Sequence, residues 1–150
     1  MGQSLAQNYI HIIFSTKHRQ PFIHPPVASE LYAYIGGICH QLECLPLTVG
    51  GYTDHVHILC KLSKKIALMT LVEKVKANSS KWIKTKGADY KGFYWQNGYA
   101  AFSVSASQVE ATTAYINNQH EHHSKKMFQE EYRAFLKKHQ VEYDERYVWG

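Results

Sequence analysis

Apolar positions along the chain change period several times, and each change predicts an element. Residues 7–16, QNYIHIIFST, are dense in β-branched and aromatic side chains and predict a first strand. The next ten residues, KHRQPFIHPP, hold Pro21, Pro25 and Pro26 and predict a loop without regular structure. Apolar residues at 27, 31, 34/35, 38 and 42 then follow helical spacing, so a helix is expected over 27–44, weakened by Gly36 and Gly37. LPLTVGGY (45–52) and DHVHILCKL (54–62) predict two strands, joined near Gly50–Gly51 or at Thr53–Asp54.

The second half has the clearest helix, over 64–87. Leu68, Leu71/Val72, Val75, Ser79 and Trp82 share one face, and Gly87 suits the stop. Strand-forming residues on both sides of QNG predict a hairpin within 92–105. Ser107 and Glu110 match a capping box opening a third helix over 105–123, with Val109, Thr112, Thr113 and Ile116 as its core stripe. A short amphipathic helix is expected over 124–140, then a tail with three aromatics. No repeat or linker divides this order, so residues 1–150 read as a single domain. The expected class is α+β: an antiparallel sheet with packed helices, of the ferredoxin-like, split-βαβ or RRM-like type.

Composition adds two departures from an ordinary globular chain: 11 Tyr and 10 His among 150 residues, and a net charge of +5. The charge is local. Nine lysines between 61 and 91 face only Glu73 and Asp89, so acidic partners one helical turn away are nearly absent. A solvated helix face is the ordinary use of such lysines. A surface that tracks phosphates fits this cluster better, with Lys74, Lys81 and Lys84 as its candidates. Lys17 and Arg19, in the loop after the first strand, are candidates to extend it. Cys39, Cys44 and Cys60 form no paired motif and are expected to be reduced, in a cytoplasmic protein. No apolar run approaches the roughly 20 residues needed to span a bilayer, so no membrane partner is expected.

The chemistry begins at His55 and His57. On a strand, positions i and i+2 project from one face, so two imidazoles would stand together with Val56 turned away. Two ordinary histidines on a wet sheet face would satisfy that pattern. A metal site would too, because neutral imidazole is a common ligand and a strand holds the pair rigidly. Tyr115 and Gln119, four residues apart, share a face of the third helix beside its core stripe.

DHVHIL followed by YINNQ resembles the HUH single-tyrosine transposases of small insertion sequences, the TnpA type that moves single-stranded DNA. The resemblance runs through IHIIFSTKHR, WQNGYAAFSVS, FQEEYRAFLKKH and YDERYVW, nearly the whole chain. It implies that His55 and His57 are metal ligands, Gln119 the third ligand and Tyr115 the nucleophile. It also implies cleavage and rejoining of single-stranded DNA at hairpin-bearing element ends through a 5′-phosphotyrosine. A homodimer with active sites shared between subunits is implied as well. Three more histidines, His120, His122 and His123, resemble a family feature and are expected to be solvated or to support the ligands.

Elementary chemistry agrees with that reading. A phenol with a pKa near 10 is a poor nucleophile at neutral pH. A divalent ion held by two imidazoles and an amide oxygen would polarise a phosphodiester, and its open, oxygen-rich coordination favours Mg²⁺ or Mn²⁺. Two other readings compete. A non-catalytic single-strand-binding module would explain the lysines and tyrosines, and a metal hydrolase would explain the histidines. Neither requires His-x-His together with Tyr-x₃-Gln.

Overall fold

The computed structural model describes residues 2–123 and 126–150, with His122 described by its backbone alone. Four strands, β1 (Asn8–Ser15), β2 (Leu45–Tyr52), β3 (His55–Leu62) and β4 (Ala100–Val104), form one sheet in the order β2-β3-β1-β4. Every neighbouring pair is antiparallel. The helices are α1 (Val27–Gln41), α2 (Leu68–Ile83), α3 (Val109–Asn117), α4 (Gln119–His123) and α5 (Phe128–Lys138). The class is α+β, and two βαβ units interleaved by their strands are compatible with the ferredoxin-like expectation.

Alternation divides the two central strands cleanly. Ile12 and Phe14 of β1, with Val56, Ile58 and Cys60 of β3, face α1 and α2 and pack with Leu31, Ile35, Leu71 and Val75 in the main apolar core. The other face carries His11, Ile13 and Ser15 beside His55 and His57, because Ile13 lies opposite His57 and Ser15 opposite His55. Helices α3, α4 and α5 cover that second face. Its apolar part is small: Ile13, Ala100 and Phe102 of the sheet against Phe128, Tyr132 and Leu136 of α5. One layer is therefore an ordinary hydrophobic core, and the other buries imidazoles. All three cysteines are free and buried.

Several local expectations are decided or corrected. The β2–β3 turn is Thr53–Asp54, since Tyr52 pairs with His55, and both glycines lie inside the ladder. They are there for close approach. A Cβ at Gly50 would meet the Cγ2 and carbonyl oxygen of Ile116 at 3.0 Å, so α3 seats directly on the β2 backbone. The QNG hairpin does not form. Trp95 makes a lone bridge to Thr16, and the Gln96 side chain accepts the Ser15 amide at 2.8 Å. The amide of Asn97 donates to the Gly150 carbonyl (2.8 Å), and Lys76 Nζ donates to the carbonyls of Gln96 (2.8 Å) and Gly98 (2.7 Å). The strand-forming residues before the turn are thus drawn to β1, leaving β4 on one side only.

The third helix is also shorter than expected. The Ser107–Glu110 capping box is not made; residues 106–108 form a 3₁₀ turn and Gln108 takes the cap position without a side-chain bond. Asn118 (φ −103°, ψ 23°) then ends α3, and α4 begins at Gln119. Of the expected stripe only Ile116 is fully buried. Within the loop 17–26, Lys17–Arg19 form one 3₁₀ turn despite the prolines that follow. No helix among the described residues is long and apolar enough to cross a membrane.

Two glycine substitutions should act with opposite sign. Gly37→Ala, on α1 with open space around the new methyl, should stabilise by about 0.5–1 kcal/mol through helix propensity. Gly51→Ala would set a Cβ against the His55 carbonyl oxygen and 2.9 Å from Val56 Cα, and should destabilise by about 1–3 kcal/mol. Thermal melts check both; a rise for Gly51→Ala would show that β2 and β3 do not approach this closely.

Candidate active site

His55 and His57 sit side by side on β3, fully buried, with ring centroids 5.1 Å apart. Each ring is held at its far nitrogen. His55 Nδ1 lies 2.8 Å from Asp54 Oδ1, and His57 Nδ1 lies 2.8 Å from His11 Nε2 on β1. Both Nε2 atoms therefore point toward α3–α5. There Gln119 Oε1 stands 3.0 Å from His55 Nε2. Tyr115, one turn earlier along the chain, places its ring 5.9 Å from that of His57. The four residues singled out from the sequence thus meet in one place, and Tyr115 meets the histidines of its own chain.

The centre of the cluster is a residue that sequence reasoning missed. Glu131 of α5 is 2% exposed. Its Oε1 lies 3.1 Å from His57 Nε2, 3.2 Å from His123 Nε2 and 3.3 Å from His55 Nε2. Its Oε2 accepts the Tyr115 hydroxyl and the Gln119 amide, the latter at 3.2 Å. The periodicity of α5 held a signal: Phe128, Tyr132 and Leu136 form its buried stripe, and Glu131 falls within it. An acid on an apolar stripe calls for a polar partner across the interface. His123, expected to be solvated or supporting, is in the cluster with its side chain 2% exposed. His120 is exposed, edge-on to Tyr52 at 5.1 Å, and the His122 side chain lies outside the described residues.

The sequence profile of the family described as "Transposase IS200 like" matches residues 4–119, which include both histidines, Tyr115 and Gln119. The chain belongs to the IS200-like transposase family. Among solved structures, a Deinococcus radiodurans R1 protein assigned as a transposase is similar over 79% of this chain and 96% of its own. The two share 22% identity with a TM-score of 0.62. A REP-associated tyrosine transposase, solved bound to a REP hairpin, is similar over 82% of this chain and 73% of its own, at 10% identity and a TM-score of 0.60. At these identities the two structures speak for the fold. No curated protein matches the chain.

In this IS200-like transposase the donor set suits a divalent cation. Ligands at right angles around an ion with bonds of about 2.1 Å stand about 3.0 Å apart. The spacings of 3.0, 3.1 and 3.3 Å among His55 Nε2, Gln119 Oε1, His57 Nε2 and Glu131 Oε1 are of that size. One donor atom from each of His55, His57 and Glu131 lies within 4.8 Å of the others. The residues therefore fit a cation, with Glu131 as an oxygen ligand the sequence did not suggest.

Charge in the cluster follows from these contacts. Burial alone would lower the His55 pKa, but hydrogen bonds to Asp54 and Glu131 outweigh it and raise it to about 9. Burial dominates at His57 and lowers it to about 4. Burial opposes ionisation of Glu131, yet the bonds from His123, His55 and His57 hold its carboxyl well below the usual carboxylate range. The Tyr115 phenol is pushed far above its ordinary value by burial and then by the neighbouring Glu131.

The basic candidates divide between the two layers. Lys74 and Lys81 are exposed on α2, Lys84 is half-buried over the Tyr94 ring, and all three lie on the layer opposite the histidines. Lys17 and Arg19 follow β1 at the His55 end of the sheet. Arg19 lines a cavity of about 230 Å³ together with Asp54, His123 and Lys126; its guanidinium lies over the Trp149 ring, and its buried Nη1 has no hydrogen-bond partner among the described residues. A second cavity, about 360 Å³, opens beside Tyr115 between α3 and α5.

The two strand histidines should give the metal-free protein a stability maximum near neutral pH. His55, raised in the folded state, contributes stability that is complete below about pH 6.5 and lost as pH climbs through about 9. His57 is lowered, so its contribution is complete above about pH 6.5 and lost as pH falls through about 4. Urea midpoints in EDTA should peak between about pH 6 and 7, and Asp54→Asn should shrink the alkaline fall. Midpoints that hold steady or rise from pH 6.5 to 9 would contradict this charge assignment.

Proposed function

We propose that this transposase cleaves and rejoins single-stranded DNA at insertion-sequence ends, with Tyr115 as nucleophile and His55, His57 and Gln119 as ligands of Mg²⁺ or Mn²⁺. The observation that carries the reading is the convergence of the Tyr115 hydroxyl, both histidine Nε2 atoms and the Gln119 amide on one buried carboxylate. Structural histidines on a wet sheet face would not be fully buried against a phenol and an acid.

Attack by the Tyr115 oxygen forms a bond to phosphorus and breaks the bond to the 3′-oxygen, which takes a proton from solvent and leaves as a hydroxyl. The phenol proton passes to Glu131 Oε2, the atom it already faces. Burial and the neighbouring Glu131 favour the protonated phenol, which suits proton loss during attack rather than before it. A bound divalent ion would supply Lewis-acid polarisation of the phosphate, with His55, His57 and Gln119 as neutral ligands and Glu131 Oε1 beside them as an anionic one. The phosphotyrosine keeps the energy of the ester, so another 3′-hydroxyl reverses the step and joins new ends. Arg19 and Lys126 are suited to hold phosphates entering beside Asp54. The lysines of α2, on the far layer, would grip a more distant part of the DNA. The hairpin held by the REP-associated neighbour favours a hairpin-bearing partner. A second copy joined along an open sheet edge would make a homodimer in which α3, tethered through residues 105–108, could exchange between two sites.

Incubation with labelled single-stranded element ends tests the chemistry. A denaturant-resistant protein–DNA adduct should form with added Mg²⁺ or Mn²⁺, vanish in EDTA, and be absent in Tyr115→Phe while DNA binding persists. Loss of Glu131 as Gln should slow adduct formation by about 10²–10⁴-fold. Binding without any adduct would leave a non-catalytic single-strand-binding module. Mixing Tyr115→Phe with His55→Ala/His57→Ala protein should restore adduct only if sites are shared between subunits.

DNA affinity against salt separates the basic residues. Replacing Lys74, Lys81 and Lys84 by Ala should flatten the plot of log K against log salt by about 0.7–0.9 for each phosphate these side chains neutralise. An unchanged slope would return these lysines to a solvated helix face. Arg19→Ala should cost adduct yield as well as affinity.

A further inference from the structure

We propose that His11 is a positioning residue that sets the tautomer of His57 and thereby decides whether His57 can accept a cation; this rests on the metal-assisted reading above. His11 stands on β1, two residues from the partner of His57, with its side chain on the same sheet face. It is 2% exposed and packs edge-on against Phe135 at 5.2 Å. Its Nε2 is 2.8 Å from His57 Nδ1. At that distance one nitrogen must carry a hydrogen and the other a lone pair, because two N–H groups or two lone pairs would repel.

With both rings neutral, only two settings meet that condition. In the first, His11 Nε2–H donates to His57 Nδ1. The His57 proton then sits on Nε2 and is donated to Glu131 Oε1, 3.1 Å away, so no lone pair faces the site. In the second, His57 Nδ1–H donates to His11 Nε2. His57 Nε2 then presents a bare lone pair toward Glu131 Oε1, which is repulsive against the carboxylate unless a cation lies between them. Cation arrival and the second setting therefore favour one another.

Atoms balance without a change of charge. His57 gives up the proton on Nε2 and gains one on Nδ1. His11 gives up the proton on Nε2 and gains one on Nδ1. Solvent can exchange these protons through the cavity beside Tyr115, which His11 also lines. His55 differs in kind. Its Nδ1 faces the Asp54 carboxylate at 2.8 Å, an acceptor that admits only the N–H setting. One ligand histidine is thus locked by an acid and the other is switchable through a second imidazole, which sets them apart although they are two residues from each other.

Nitrogen NMR on ¹⁵N-histidine protein reads the switch directly. Without metal, His57 should show the Nε2–H tautomer; Mg²⁺ or Zn²⁺ should convert it to Nδ1–H, and His11 with it. Mn²⁺ binding followed by EPR gives the second arm. His11→Phe keeps a ring but offers no acceptor, and should weaken Mn²⁺ binding about 10–100-fold. His11→Gln can offer its amide oxygen and should stay within a few-fold of wild type. If wild type binds Mn²⁺ and His11→Phe binds it equally well, or if the His57 tautomer does not change, His11 has no positioning role. Wild type that binds no divalent ion would overturn the metal reading itself. Should His11→Phe fail to fold, the wild-type tautomer measurement still decides.

Discussion

One buried carboxylate organises the second layer of this protein. Glu131 gathers donors from β3, α3 and α4, and from α5 it closes the layer over the sheet. A lone ionised acid in such a place would cost several kcal/mol, and removing its partners would leave that cost uncompensated. The compensation comes from charge-assisted bonds, which are roughly twice as strong as neutral ones. The apolar part of this layer is small, so the polar cluster does for α3–α5 what Leu31, Ile35, Leu71 and Val75 do for α1 and α2.

The two layers therefore answer to different demands. The α1/α2 side is a predominantly apolar core. The α3–α5 side depends on which imidazoles carry protons, and the same donors that stabilise it also fit a cation. Metal binding at this site would replace one set of bonds around Glu131 by another rather than fill an idle hole. In this IS200-like transposase the atoms that stabilise the layer are also the atoms that fit a cation.

Much of this was legible in the sequence. Alternation alone placed His55 and His57 together, because the period of a strand is fixed by backbone geometry; Tyr115 and Gln119 were expected on one helical face and instead reach the site from two helices, α3 and α4. The strand and helix types along the chain were readable for the same reason. Partnerships across the sheet were not. Glu131 was visible as an acid on an apolar stripe, but its donors come from three other elements. His11 looked like any residue of a strand. The QNG hairpin failed because Gln96 and Trp95 found better partners in β1, a competition no local turn rule can weigh. Asn118 splits one expected helix into two, and the split lets Gln119 and His123 turn toward β3.

The seat of α3 on Gly50 has a consequence for how such a protein can vary. Ile116 rests on a bare backbone, and Tyr115 is its immediate neighbour in the chain. The thickness of whatever lies at position 50 therefore sets the height of the phenol above the histidines. A methyl group there would meet Ile116 at 3.0 Å and press it away by a few tenths of an ångström, shifting the Tyr115 ring against that of His57. Position 50 is thus held to glycine by the seat of a helix rather than by any turn of the chain.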